Sequence, residues 1–259
     1  MRRVEILRVD VSAGKVERLT DHVAEEKPLH VFLNKAHYVT ILCSPTNLRE
    51  LAIGHLLSEG VVRAVDEIKG TSLKGEVCRV ELKSNVDLEK RLERLKLHSR
   101  VIVSACGGSK PYRYSGKIRR VGSNLKVKAK IVLECVNRLN FTAGVFRKTG
   151  GVHAAALYGA DGGMVAFAED VGRHNAVDKV IGIAALGKAD FGNCFLALSG
   201  RLTADIVYKA ARVGLPLVAS LASAIDTGIA IAKRSNVTLV GFVRGKRMNV
   251  YTFPERIML

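Results

Sequence analysis

The chain has 259 residues, of which 48% are hydrophobic, enough for one large domain or two ordinary ones with a substantial core. No run approaches the roughly 20 apolar residues of a membrane span, and the first residues lack a signal peptide's apolar stretch, so we expect a cytoplasmic protein without membrane spans. The formal net charge of +17 predicts an anionic partner: a nucleic acid, a nucleotide cofactor or an acidic protein surface.

The first hundred residues have the patterns of a small α+β unit. In chain order they predict an edge strand over 1–20 with a turn near Gly14, a hairpin of 31–33 and 38–43, a helix from about Leu48 to Ser58 ended by Gly60, and a charged helix over 88–97. His55 shares one side of the first helix with apolar residues, so we expect a histidine at the edge of the core rather than a ligand.

One cysteine differs from the other four in its surroundings. The five cysteines are odd in number and lack zinc-type spacing, so neither a disulfide framework nor a structural metal is expected. Apolar neighbours surround all but Cys106, which lies in a glycine-rich stretch followed by a Lys-, Arg- and Ser-rich segment reaching about residue 130. A cationic, accessible loop favours the thiolate, which makes Cys106 the candidate reactive residue.

The second half of the chain alternates strands with helices. The predicted elements are a helix over 132–146, a hairpin of 149–158 and 164–168, a helix through 177–184, a strand over 194–198, a helix over 202–213, a strand over 216–219, a helix over 226–234, and strands over 238–243 and 249–253. Right-handed parallel crossovers would bring the loops that follow these strands to one edge of one sheet. The loops are 170–179, 199–201, 220–223 and 244–247. Three contain arginine, which favours an anionic ligand, with phosphate as the natural candidate.

The most polar of these loops is residues 169–179, with the sequence EDVGRHNAVDK. It lies between a predicted buried strand and a predicted helix, where ligands bind in open α/β sheets against backbone N–H groups and the positive end of the helix. The alternative is a solvated loop with a helix cap, although a cap requires only one or two such residues.

Several motifs occur in a fixed order along the chain: SP at 44–45 before LAIGHLLSEG at 51–60, SACG at 104–107, TGGVHAA at 149–155, EDVGRHNAVDK at 169–179, LSGR at 198–201, and LVGF at 239–242 before NVY at 249–251. Over nearly its whole length the sequence resembles the formate dehydrogenase accessory sulfurtransferase family, FdhD. The resemblance implies a cytosolic sulfur carrier required for formate dehydrogenase activity. Such a carrier accepts sulfur from a cysteine desulfurase as a persulfide, here on Cys106. It then passes the sulfur to the molybdenum of a bis(molybdopterin guanine dinucleotide) cofactor, before that cofactor enters formate dehydrogenase.

The resemblance also implies a homodimer and a fold. We predict an α/β protein with a cytidine-deaminase-like three-layer domain with a mixed sheet over 131–259, a smaller N-terminal α+β domain over 1–104, and a mobile cysteine-bearing loop over 105–130. The family's cofactor-binding stretch maps onto 242–247. With the loop residues, the predicted cofactor-binding set is Phe242, Val243, Arg244, Gly245, Lys246, Arg247, Asp170, Gly172, Arg173, His174, Asn175, Lys179, Ser199, Gly200 and Arg201. Cys106 is the predicted catalytic residue, and no metal ligand is predicted.

One departure from the family pattern leaves an alternative open. The family often has Cys-x-x-Cys in the loop, and Ser109 occupies the second position here. Because a persulfide requires one sulfur atom, carriage is still expected, but a step in which a second thiol resolves the persulfide becomes doubtful. The alternative function is a non-catalytic chaperone that binds the molybdenum cofactor.

Two other functions are disfavoured by the motifs. Zinc deaminases have His-x-Glu and Pro-Cys-x-x-Cys at the starts of successive helices, where this chain has His174-Asn175-Ala176 and the residues 199–203. The general acid/base and two metal ligands are therefore missing. Nucleic-acid binding is a weaker reading of the charge, because no RNP motif, zinc finger or arginine-rich tail is present.

Overall fold

The computed structural model describes residues 1–95, 100–102 and 118–259. Its strands are β1 (Arg2–Asp10), β2 (Lys15–Val23), β3 (Lys27–Leu33), β4 (Ala36–Cys43), β5 (Ile68–Lys74), β6 (Val77–Leu82), β7 (Arg100–Ile102), β8 (Val127–Lys128), β9 (His153–Gly159), β10 (Met164–Asp170), β11 (Cys194–Leu198), β12 (Leu217–Ser220), β13 (Thr238–Arg244), β14 (Arg247–Thr252) and β15 (Ile257–Met258). Its helices are α1 (Leu48–Glu59), α2 (Leu88–Leu95), α3 (Ala129–Thr142), α4 (Gly144–Thr149), α5 (Arg173–Leu186), α6 (Ala204–Val213) and α7 (Asp226–Ser235). The chain is thus of the predicted α/β class.

The larger sheet has the strand order β10-β9-β11-β12-β13-β14. Strands β11, β12 and β13 are parallel, whereas β9 pairs antiparallel with both β10 and β11, and β14 pairs antiparallel with β13. Strand β10 therefore runs in the same direction as β11, β12 and β13. The carboxyl ends of these four strands lie at one edge of the sheet, as the alternation of strands and helices predicts.

Helices cover both faces of this sheet, because successive side chains of a strand point to opposite faces. Ala154, Ala156 and Tyr158 of β9 belong to a hydrophobic cluster with α3, through residues such as Val136. The alternate residues Ala155 and Leu157 belong to a second cluster with α5 and α6. The result is a helix–sheet–helix arrangement with apolar packing on each side of the sheet.

The smaller sheet has the order β5-β6-β3-β4-β7, and it shares the second cluster. Helix α1 lies between this sheet and α5. At the crossing of α1 and α5 the backbones nearly touch: a Cβ added to Gly54 would lie 1.7 Å from the Asp178 carbonyl oxygen, and one added to Gly182 would lie 1.9 Å from the Glu50 carbonyl oxygen. Glycine at both positions is what lets the two helices approach so closely.

Three predicted elements differ in detail. Residues 1–23 do not form one edge strand; β1 and β2 pair along their whole length as a hairpin, which is a separate two-stranded sheet. The helix predicted over 132–146 is two helices, α3 and α4, divided at Ala143, since Gly144 begins a new helix. The helix predicted from Leu202 begins at Ala204, because Leu202 forms a β-bridge with Ala224.

Within the described ranges, every helix falls short of the length and hydrophobicity that crossing a membrane requires. The boundaries of the three predicted regions of the chain remain predictions.

Candidate functional site

The candidate site is the sheet edge formed by the loops that follow β10, β11, β12 and β13. Ser220, the last residue of β12, connects two of these loops. Its Oγ lies 2.9 Å from the carbonyl oxygen of Leu198 and 2.6 Å from that of Gly200, and its single hydroxyl proton can be donated to either one. At the next strand, Arg244 Nε donates to the Leu221 carbonyl at 2.8 Å. The predicted convergence of the loops is therefore confirmed.

Beneath the edge, a buried ion pair fixes the loop after β10. Lys179 Nζ lies 2.7 Å from Asp170 Oδ2, and both side chains are 0% exposed. Asp170 also accepts hydrogen bonds from the Ser44 and Gly172 backbone N–H groups and from Asn175 Nδ2, at 3.0, 2.8 and 2.9 Å. Each buried charge thus has several partners, as burial of an ion pair requires.

This ion pair also binds the two halves of the chain together. Lys179 Nζ donates to the Ser44 carbonyl oxygen at 3.0 Å, Ser44 Oγ accepts from the Val171 N–H at 3.1 Å, and Asn175 Nδ2 donates to the Leu42 carbonyl at 2.8 Å. The end of β4 is therefore held against the end of β10. Asp170, Asn175 and Lys179 were predicted to bind a cofactor, but their side chains are buried within the protein.

Gly200 and Gly172 allow the loops to pack closely at the surface of the edge. A Cβ on Gly200 would lie 3.1 Å from Cβ and Cδ of Arg173, and 3.6 Å from Nδ1 of His153. A Cβ on Gly172 would lie 2.9 Å from Asn175 Nδ2. Arg173, at the start of α5, and His153, at the start of β9, thus both lie against Gly200, and the exposed Arg201 follows directly.

Two histidines flank Arg173. Burial lowers the pKa of His153, and the guanidinium groups of Arg173 and Arg201 lower it further. His174 lies at the start of α5 with its Nε2 3.7 Å from Asp205 Oδ2. Burial, Arg173 and Lys209 lower the pKa of His174 to about 4, so its ring is neutral at pH 7.

The segment predicted to bind cofactor near the C-terminus lines a depression of about 350 Å³ between β13 and β14. The residues that line it are Phe242, Arg244, Arg247 and Asn249. Phe242 has a φ of 51°, and the Arg244 guanidinium lies 5.6 Å from the centre of its ring. Exposed Gly245 and Lys246 form the turn, whereas the Val243 side chain is buried in the α3 side of the core and faces away from the depression.

Behind the site is a second buried charge cluster that the sequence analysis did not identify. Lys209 Nζ lies 2.9 Å from Asp178 Oδ2 and 3.3 Å from Glu59 Oε1, and it donates to Ser58 Oγ at 2.9 Å. His55 Nδ1 lies 3.0 Å from the same carboxylate of Asp178. His55 is therefore wholly inside the protein rather than at the edge of the core. In the sequence, a charged residue at an apolar position of a predicted helix, such as Asp178 between Val177 and Val180, could have indicated this buried cluster.

The described cysteines are all buried. Burial raises the pKa of the Cys43 thiol to about 12 and the pKa values of Cys78 and Cys135 to about 11, so these three are protonated at neutral pH. Cys106, Ser109 and the first half of the predicted loop, residues 105–117, lie outside the described residues. Among the residues that are described, no three His, Cys, Asp or Glu side chains are grouped so that they could hold a metal ion.

The model of the FdhD/NarQ family matches residues 24–258. Curated relatives named sulfur carrier protein FdhD include proteins of Methanothermobacter thermautotrophicus, which is 37% identical over 99% of this chain and 98% of its own, and Shouchella clausii, which is 35% identical over 95% and 94%. A crystal structure described as a formate dehydrogenase accessory protein, from Desulfotalea psychrophila, superposes with a TM-score of 0.79 at 27% identity and covers 99% of both chains.

Proposed function

This chain belongs to the FdhD/NarQ family, and from that membership we propose that it is a sulfur carrier required for formate dehydrogenase activity. Its relatives carry the name sulfur carrier protein, and the accessory protein that it superposes on is associated with formate dehydrogenase. The sulfur donor is a cysteine desulfurase, and the acceptor is the molybdenum of a bis(molybdopterin guanine dinucleotide) cofactor, which is a substrate here and not a resident group.

Cys106 carries the sulfur. Its thiolate attacks the terminal sulfur of a persulfide on the desulfurase; a new S–S bond forms, the old one breaks, and the desulfurase cysteine leaves as a thiolate. Lys110 and Arg113 follow closely in the sequence and favour the thiolate of Cys106 through their positive charge. The S–S bond of the Cys106 persulfide then breaks: the terminal sulfur becomes a ligand of the molybdenum, which supplies the two electrons that reduce it to sulfide, and Cys106 leaves as a thiolate. Burial and raised pKa values make Cys43, Cys78 and Cys135 poor nucleophiles by comparison.

The proposal that Cys106 acts at this site rests on the pairing of β7, the strand before Cys106, with β4. Strand β7 leads to Cys106 and runs parallel to β4, with Ile102 paired to Ile41. The end of β4 is the part of the N-terminal half that is bonded to Asp170 and Val171 at the candidate site. Cys106 follows Ile102 by four residues, and four residues span at most about 14 Å. The described strand that precedes Cys106 therefore lies next to the strand whose end is bonded to the loop after β10.

We assign the cofactor's phosphates to these loops. Arg173, Arg201, Arg244 and Arg247 supply guanidinium groups that pair with phosphate in a bidentate manner. The surface around them includes Ser199, His174, Gly245 and Lys246, and the buried Gly172 and Gly200 lie beneath it. Phe242 offers an aromatic face at the depression. We give Asp170, Asn175, Lys179 and Val243 a supporting role, because their side chains are buried.

The helix–sheet–helix arrangement of the larger sheet supports the deaminase-like fold that the resemblance implies. We propose that fold without deaminase chemistry, because the sequence lacks the zinc ligands and the glutamate that the reaction requires. A cytoplasmic location and a homodimer belong to the same proposal.

The test is sulfur loading. After incubation with a cysteine desulfurase and cysteine, the intact protein should gain the mass of one sulfur atom, and the fragment containing Cys106 should carry it. Cys106→Ala should lose the added mass and the activation of formate dehydrogenase while keeping its melting temperature. Cys194→Ala is the matched control and should still be loaded.

The non-catalytic chaperone is the second candidate, and Ser109 in place of a second loop cysteine is the observation that favours it. It predicts a different result: Cys106→Ala would activate formate dehydrogenase as well as the wild type does. That outcome would remove the sulfur-carrier proposal.

A further inference from the structure

The candidate site includes a histidine for which the sequence analysis found no role. His153 begins β9, and its Nδ1 lies 3.3 Å from Ser199 Oγ. The same Oγ accepts a hydrogen bond from the Ala154 backbone N–H at 3.1 Å, which fixes the hydroxyl in place. Because Nδ1 is turned toward Ser199, Nε2 is the ring nitrogen left to contact a ligand at this edge.

Positive charges surround the ring. Arg173 and His153 both lie against Gly200, since a Cβ there would be 3.1 Å from Arg173 Cβ and Cδ and 3.6 Å from His153 Nδ1. Arg201 follows that glycine in the sequence and is exposed. Arg173, Arg201 and His153 therefore form one cluster of side chains whose chemistry suits an anion.

We propose that His153 is the proton-accepting member of this anion site: a phosphate bound between Arg173 and Arg201 converts the imidazole into an imidazolium that donates from Nε2 to that phosphate. The proton comes from solvent and forms an N–H bond on the ring, and no other covalent bond forms or breaks. In the charged ring, Nδ1–H donates to Ser199 Oγ, a bond that the present geometry already accommodates. This inference rests on the proposed function, because it takes the anion to be a phosphate of the cofactor.

The charges facing His153 explain why the proton arrives with the ligand. Burial and the two arginines, one on α5 and one in the loop after β11, lower the pKa of His153, while the Asp170 carboxylate on β10 raises it. A bound phosphate neutralises the arginines and adds an opposite charge within hydrogen-bond reach, which raises that pKa. A group that gains a proton on binding strengthens binding as the pH falls, until the unliganded ring is itself protonated.

The neighbouring histidine serves as an internal comparison. The pKa of His174 is lowered to about 4 by burial, Arg173 and Lys209, against the opposing effect of Asp205 and Asp178. Its Nε2 faces Asp205, 3.7 Å away, rather than Gly200. We therefore expect His174 to stay neutral when the anion binds near pH 6.5.

Calorimetry can count the protons. Guanosine diphosphate is titrated into the full-length protein at pH 6.5 in two buffers with different heats of ionisation, and the difference in measured heat gives the protons taken up per nucleotide. Wild type should take up a few tenths of a proton more than His153→Gln, whose amide can still donate to phosphate but does not titrate. His37→Asn, beside the exposed turn between β3 and β4, should keep the wild-type uptake. Proton release from the nucleotide itself is common to all three proteins and cancels in the comparison.

The possible outcomes separate the inference from the proposed function. Nucleotide binding with equal uptake in wild type and His153→Gln overturns the inference alone, as does an equal loss of uptake in His37→Asn. No nucleotide binding by the wild type removes the proposed phosphate site and the inference with it. Should His153→Gln fail to fold, the His153 ring-proton resonance of the wild type is followed against pH with and without nucleotide. Its midpoint should move to higher pH on binding, and an unchanged midpoint contradicts the inference.

Discussion

Asp170 and Lys179 show how a polar sequence motif can act from within the protein. Both were predicted to touch a cofactor, because loop charges at strand ends usually face ligands. The pair is instead fully buried, and it connects the motif to Ser44 in the N-terminal half. The pattern of polar residues in the motif could not predict this burial, since Ser44, the partner of Asp170, lies 126 positions away in the sequence.

Removing one member of this pair should be costly. We expect Lys179→Met to lower the free energy of unfolding by about 3–5 kcal/mol, because it leaves the Asp170 carboxylate buried without its counter-charge. Urea unfolding measures the loss. Lys15→Met breaks the exposed Lys15–Glu17 pair and should cost no more than about 1 kcal/mol. Equal effects of the two substitutions would mean that the Asp170–Lys179 pair does not hold the loop.

At the scale of helices and strands, the crossing of α1 and α5 determines how the two sheets are joined. Gly54→Ala places a Cβ 1.7 Å from the backbone oxygen of Asp178. Because that neighbour is a backbone atom, the clash can be relieved only if α1 and α5 move apart. We expect a loss of roughly 1–3 kcal/mol or more, the usual cost of overpacking a core. The melting temperature and urea midpoint should both fall.

The matched control lies in the same pair of helices. Gly187 ends α5, has a φ of −77°, and its added Cβ would come no closer than 3.5 Å to another atom. Gly187→Ala should therefore leave stability almost unchanged. If it destabilises as much as Gly54→Ala does, the close helix approach is not the cause.

The elements themselves were largely predictable, for reasons visible in single segments. Strand β11 and helix α6 follow from apolar runs ended by Gly200 and Gly214, and the hairpin of β3 and β4 follows from its turn at Asn34. The close contact between α1 and α5 was not predictable, because a glycine within a predicted helix does not show which other helix packs against it. The cluster around Asp178 and Lys209 was missed for the same reason: its members come from three helices.

At the scale of the whole molecule, the net charge of +17 includes arginines from three loops at one edge of the larger sheet. We expect alanine at Arg173, Arg201 or Arg244 to weaken binding of guanosine diphosphate by roughly 1–3 kcal/mol each, the range for hydrogen bonds to charged groups. Calorimetry measures the affinities. Arg18→Ala, in the separate β1–β2 sheet, is the matched control for lost charge and should bind almost normally.

Cys106→Ala should also bind the nucleotide normally, because in the proposed function the thiol acts on the metal and not on the nucleotide. Binding that survives the loss of all three arginines, or that disappears with Cys106, would place the cofactor elsewhere on the protein.

The hydrogen bonds from Ser44 to Asp170 and Lys179 have a consequence for how the chain folds during its synthesis on the ribosome. They join residues 126 and 135 positions apart, so the site depends on contacts of very high sequence separation. Such contacts close slowly, since a long loop must be ordered before the contact contributes any stability. While the ribosome is still making α5, the N-terminal sheet has already emerged with the end of β4 unpaired. A nascent chain therefore cannot have a working site until its second half has folded against the first.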